Sequence, residues 1–142
     1  MTTPIRPEIS KQSKYWISRH RFYELKHFCL QYYEWKEELQ FITECHSHQL
    51  DGKEKTSINI SHISDPVFDC VIRREQLINC IDMVDKAAKG CSDDIGKYVF
   101  KGVTEGLSFE YLFTSEDRIP CCKDYYYEAF RKFFWILSKL RK

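Results

Sequence analysis

Apolar positions first recur with a helical period at Phe22, Leu25, Phe28/Cys29, Tyr32, Trp35, Leu39 and Ile42, three and four residues apart. This spacing predicts a single amphipathic helix of about 25 residues, the longest in the chain, near 19–43 with Ser18 as its N-cap. The other face carries Arg21, Glu24, Lys26, Gln31, Glu34, Lys36 and Glu38. The apolar stripe is broad enough to meet more than one partner helix. Residues 1–14 mix Pro, Ser, Thr and charge without a period and are expected to form a flexible arm. From about 45 to 64 the period fails again. Asp51-Gly52, several Ser and His, and the alternation Ser57-Ile58-Asn59-Ile60-Ser61 predict a loop there.

Asp65-Pro66 reads as an N-cap followed by Pro at the first helical position. Val67, Cys70/Val71, Leu77/Ile78, Ile81 and Val84 continue the stripe to Gly90, which stands where a helix stop belongs. Ser92 offers a second cap, with Asp93 and Asp94 favourably placed at the positive helix end. Ile95, Tyr98/Val99 and Val103 form the next apolar face, and Gly106 ends it. Ser108 caps a short helix through Phe109, Tyr111, Leu112 and Phe113. Thr114 to Pro120 is a polar turn. A last helix starts near Cys122, with Tyr126/Tyr127, Phe130, Phe133/Phe134, Leu137 and Leu140 as its stripe. The expected fold is therefore all-α: a compact bundle of four to five helices with a C-terminal tri-helix of helix-turn-helix order. Residues 15–90 would form an N-terminal helical part and 91–142 the C-terminal part.

Composition narrows the classes. Of 142 residues, 43% are hydrophobic and 15% aromatic, too apolar for general disorder, and five Gly with four Pro are too few for a turn-rich all-β fold. No apolar run approaches the roughly 18 to 20 residues of a membrane span. The segment Met1 to Pro7 lacks the apolar stretch of a secretory signal. Seven cysteines, an odd number without a signal, are expected as reduced thiols in a cytoplasm. Cys29, Cys70 and Cys80 fall in helical patterns, where a free thiol behaves as a small hydrophobe.

The formal net charge is +1, which argues against a uniformly basic coat. The charge is nevertheless segregated. Val103 to Asp117 holds four acids and no base, whereas Arg118 to Lys142 holds seven bases against Asp124 and Glu128. A basic terminal helix on a neutral protein is a pattern of nucleic-acid binding. In helix-turn-helix order the last helix enters the major groove. Its first turns approach base edges, and flanking cations hold phosphates. Lys123, Asp124, Tyr125, Arg131 and Lys132 are the candidate DNA-binding residues, with Glu128 in the same polar set.

The segments Ile119-Pro120-Cys121-Cys122-Lys123-Asp124-Tyr125-Tyr126-Tyr127 and Arg131-Lys132-Phe133-Phe134-Trp135-Ile136-Leu137-Ser138 resemble the C-terminal signature of small phage and prophage proteins of Gram-positive bacteria. Gly106-Leu107-Ser108-Phe109-Glu110-Tyr111-Leu112 and Tyr15-Trp16-Ile17-Ser18-Arg19-His20-Arg21-Phe22-Tyr23-Glu24-Leu25 fit the same pattern. The layout is also similar to RinA-type phage late transcriptional regulators, with an Arg-Arg middle helix (here Arg73-Arg74) and a sigma-like C-terminal helix-turn-helix. Cys122 stands where that pattern usually has a small residue such as Gly. The resemblance implies a regulator that binds double-stranded DNA and acts as a homodimer or on host RNA polymerase.

Other chemistries are weaker in the sequence. Cys45-His46-Ser47-His48 with His62 supplies soft ligands, but the spacing matches no standard zinc knuckle and no CxxC pair is present, so no metal and no cofactor are expected. No nucleophile elbow, Walker A or His-Glu-x-x-His motif occurs, and no enzyme is expected. The acidic pairs Glu37-Glu38 and Asp93-Asp94 are adjacent and do not share one helix face. The leading expectation is a cytoplasmic DNA-binding transcriptional regulator of phage or prophage origin. The rival is a helical protein-binding module that targets a host complex such as a bacterial defence effector, using the aromatic faces around Tyr125 to Tyr127 and Phe133 to Trp135.

Overall fold

The structure, a computed structural model, describes residues 14–51 and 66–141, with side chains over 14–44 and 67–141. Among these residues the chain forms six α-helices: α1 (Arg19–Leu30), α2 (Tyr32–Asp51), α3 (Pro66–Cys91), α4 (Gly96–Glu105), α5 (Phe109–Thr114) and α6 (Lys123–Leu140). The all-α class is observed, and the helices outnumber the four to five expected. Apart from Lys14, the expected arm lies outside the described residues.

The extra helix arises at Gln31, where the long amphipathic helix breaks in two. The Gln31 amide leaves the regular ladder and donates to Phe28 O at 3.2 Å. The carbonyl it abandons, that of His27, accepts from the Gln31 side-chain amide at 3.2 Å. The break thus leaves no orphaned group at His27, and no Gly or Pro marks it. It lets the two halves aim differently. Phe22, Leu25, Phe28 and Cys29 are buried from α1, and Tyr32 and Trp35 from α2. α1 packs on α4 and α6, whereas α2 packs chiefly on α3.

Three further boundaries differ from expectation. α2 stays helical to Asp51, so the first seven positions of the expected loop are helix, and 52–65 lie outside the described residues. Gly90 lies inside α3, which runs one residue further to Cys91. Ser92 does accept from the amides of Asp94 and Ile95, both at 3.3 Å, but it caps a turn, and α4 begins at Gly96. The caps at Ser18 and Ser108 form as expected, accepting from Arg21 N and Tyr111 N. Gly106 ends α4 in the left-handed region with φ 70°, where a Cβ would be strained.

α3 and α6 are the central pair, and α1, α2 and α4 surround them. One core takes Leu25, Cys29, Val84 and Val99 together with Phe133, Phe134 and Leu137, all fully buried. Phe134 packs edge-on against Phe22, with ring centroids 5.0 Å apart. Each such ring contributes about 2–3 kcal/mol through removal from water. A polar clasp closes the seam between α1 and α6. Arg21 donates to the carbonyls of Ser138 and Arg141 and pairs with Glu24. Arg141 reaches Glu24 at 2.7 Å and lies over the Phe28 ring at 4.3 Å.

Candidate nucleic-acid interface

The order helix, short helix, turn, longer helix is present in α4, α5 and α6. The turn between α5 and α6 is held at both ends. Ile119 is buried and its amide donates to Leu112 O at 3.2 Å. The Tyr98 hydroxyl of α4 donates to Asp117 at 3.2 Å, and the Arg118 guanidinium lies 3.9 Å above the Phe113 ring. These contacts fix where α6 begins, with Cys122 as its N-cap residue.

Along α6, Tyr126, Ala129, Phe133, Phe134 and Leu137 are buried. At about 100° per residue, Asp124, Glu128, Arg131, Lys132, Trp135 and Lys139 fall on the opposite side. Asp124, Glu128 and Lys139 are exposed, and Arg131, Lys132 and Trp135 are half-buried. Neither Arg131 nor Lys132 makes an ion pair among the described residues.

The five residues expected to contact DNA are divided by the structure. Asp124, Arg131 and Lys132 share the outward stripe. Lys123 turns toward α5 and donates to Glu110 at 3.1 Å. The Glu110 carboxyl is held below its usual range by its own backbone N–H near the start of α5, and then by the Lys123 ammonium. Tyr125 lies at the edge of the stripe, and its hydroxyl donates to Asp94 at 3.2 Å.

The sequence reading missed the contribution of the segment before α1. Tyr15 crosses the α6 stripe and meets Trp135 edge-on at 5.5 Å. Lys14 lies over the Tyr15 ring at 5.3 Å, and Lys139 over Trp135 at 4.8 Å. Lys14 and Tyr15 line one shallow hollow with Asp124, Glu128 and Arg131. The signal for this was the aromatic pair Tyr15-Trp16 directly before the Ser18 cap.

Side chains of Cys45, His46 and His48, and residue His62, lie outside the described residues. Among the described residues, no group of three or more His, Cys, Asp and Glu converges as a metal site would require. The thiols at Cys29 and Cys91 are buried, and burial pushes both upward, Cys91 to about 11. No described helix is long and apolar enough to cross a membrane. Comparison of the chain with protein-family models, with curated proteins and with solved structures finds no match.

Proposed function

We propose that this protein is a phage or prophage transcriptional regulator that binds double-stranded DNA through α5 and α6. The observation that carries the reading is the outward stripe of α6. Two unpaired cations, Arg131 and Lys132, continue the line of Asp124 and Glu128, opposite a fully buried face and beyond a firmly held turn. An α-helix of this kind fits the major groove. The first turn, with Lys123, Asp124 and Tyr125, would approach base edges. Arg131, Lys132 and Lys139 would hold phosphates along the groove wall. The resemblance to RinA-type regulators supports the same docking, with a homodimer or host RNA polymerase engaged by the other helices. The reading requires no metal, cofactor or catalytic group and places the protein in the cytoplasm of a bacterial host.

The test is binding of purified protein to duplex DNA from its own gene neighbourhood across a salt series. Log affinity should fall linearly with log salt, by about 0.9 per neutralised phosphate. Arg131→Ala and Lys132→Ala should each lower that slope by about one contact and weaken all sites alike. Lys123→Ala should act less on the slope, because its ammonium must first leave Glu110, and more on discrimination between sites. Absence of salt-sensitive binding overturns the reading. The second reading, a module that binds a host protein complex, is favoured by Phe41 and the apolar side chains that α3 leaves in solvent. It predicts a folded protein without DNA affinity.

A further inference from the structure

Between α1, the α4–α5 junction and α6 lies a cavity of about 390 Å³. None of the residues expected to contact DNA lines it. Its inner wall is aromatic: Phe22, Tyr126 and Phe134 are buried there, and Phe130 is half-buried. The Phe130 ring meets Phe134 edge-on at 4.9 Å and Phe22 at 6.1 Å, so the rings form one continuous surface. Tyr23, Lys26 and Leu30 follow one another at spacings of three and four on α1 and form an exposed rim. The volume falls within the roughly 300–1,000 Å³ of cavities that hold small organic ligands.

Two lining side chains carry unused bonding capacity. Tyr126 is 1% exposed, and its hydroxyl makes no hydrogen bond among the described residues. The hydroxyl lies against Gly102, which also lines the cavity and whose missing Cβ leaves it room. Burial keeps the phenol protonated, so it is a donor. A buried donor without an acceptor is costly, and a phenylalanine would fill the same shape without that cost. The other is Lys26. Among the described residues it is the one charged side chain in the lining, and it makes no ion pair.

We infer that this cavity binds a small planar aromatic carboxylate that carries a hydroxyl or carbonyl oxygen at the end remote from the carboxylate. The ring of the ligand extends the edge-to-face cluster of Phe22, Phe130 and Phe134. The carboxylate stays at the rim with Lys26, because further in it would lose hydration with no cation to replace it. The remote oxygen accepts from Tyr126. The hydroxyl is covered, so the half-buried side chains beside it, Leu107 and Tyr127, shift to admit that oxygen. A fatty carboxylate would satisfy the aromatic wall and Lys26 but leave the Tyr126 donor unpaired. A free phosphate would meet Lys26 alone. The inference goes beyond the proposed DNA reading and does not depend on it.

The experiment is calorimetric titration of the full chain with two probes, cinnamate and para-hydroxycinnamate, with helix content followed by circular dichroism. Both should bind at one site per chain. The hydroxylated probe should bind about tenfold tighter, the worth of one neutral hydrogen bond. Tyr126→Phe should keep the helix content, leave cinnamate affinity unchanged and erase that preference. Lys26→Gln, an exposed change, should weaken both probes by about two- to fivefold, and the wild-type advantage should shrink at high salt. If Tyr126→Phe misfolds, the wild-type preference and Lys26→Gln still decide. No saturable binding of either probe overturns the inference, as does equal wild-type affinity for the two. A preference that persists in Tyr126→Phe, or affinities indifferent to Lys26→Gln, overturn it as well.

Discussion

Where α4 crosses α6, Gly102 faces the hydroxyl of Tyr126. A Cβ at Gly102 would lie 2.4 Å from that oxygen, while the next nearest atoms, Leu107 O and Leu112 Cδ1, would be in ordinary contact at 3.5 and 3.6 Å. The hydroxyl is buried and makes no hydrogen bond among the described residues. Burial pushes its proton affinity up, so it stays neutral. Gly102→Ala should gain about 0.5–1 kcal/mol from helix propensity. It should lose about 1–3 kcal/mol to overpacking, for a net destabilisation of about 1–2 kcal/mol. Tyr126→Phe deletes the clashing atom and an unsatisfied buried hydroxyl, so alone it should be neutral or stabilise by about 1–2 kcal/mol. In the Tyr126→Phe background the alanine should become neutral or favourable. Urea unfolding of the four proteins gives the coupling energy, expected at about 1–3 kcal/mol in the direction of rescue. Additive effects, or a Tyr126→Phe loss above about 1 kcal/mol, would refute the reasoning and mean that the hydroxyl is held by a partner.

Helix content by circular dichroism should exceed about 40%, above the third that an average globular chain carries. Gly106→Ala should lower stability by about 1 kcal/mol or more, because φ is 70° and the new Cβ would meet Leu30 Cδ2 at 3.3 Å. Phe133→Ala should cost about 3–5 kcal/mol in urea unfolding, as expected for a fully buried ring. Glu110 has a lowered folded-state pKa, so its pair with Lys123 adds stability above its ordinary value of 4.5 and loses it as pH falls further. Melting of wild type against Glu110→Gln should therefore show a small wild-type advantage at neutral pH that shrinks below about pH 4.5.

Legibility in the sequence followed the type of signal. Caps written as a single residue with a single job, such as Ser18, Ser108 and the left-handed Gly106, were placed correctly because the local backbone needs them whatever the packing. The division at Gln31 was hidden because an amide side chain completes the ladder there, a role no propensity records. Gly90 was misread as a stop. A helical glycine is also used where another helix comes near, and the Ile136 Cδ1 atom stands 3.2 Å from the Cβ it lacks. In α3, Val67, Val71 and Ile78 looked like one stripe with Leu77, Ile81 and Val84, because apolar spacing gives period but not which of two faces is covered. At the candidate interface, Asp124, Arg131 and Lys132 of the expected residues fall on one outward stripe of α6. The sequence could not show that Lys123 turns to Glu110, since that pairing depends on the fold of the α5–α6 turn.

The clasp that joins α1 to α6 spans a long stretch of chain: Arg21 and the Ser138 carbonyl are 117 residues apart. On a ribosome adding about 5–20 residues each second, α1 emerges on the order of ten seconds before α6, one of the two helices it chiefly packs on. During that interval α4 can already pack on α1, but Phe22 has no α6 ring to meet. The apolar side of α1 is therefore completed late, by the last helix of the described residues. The seam closes only when Phe134 arrives and its ring packs against Phe22.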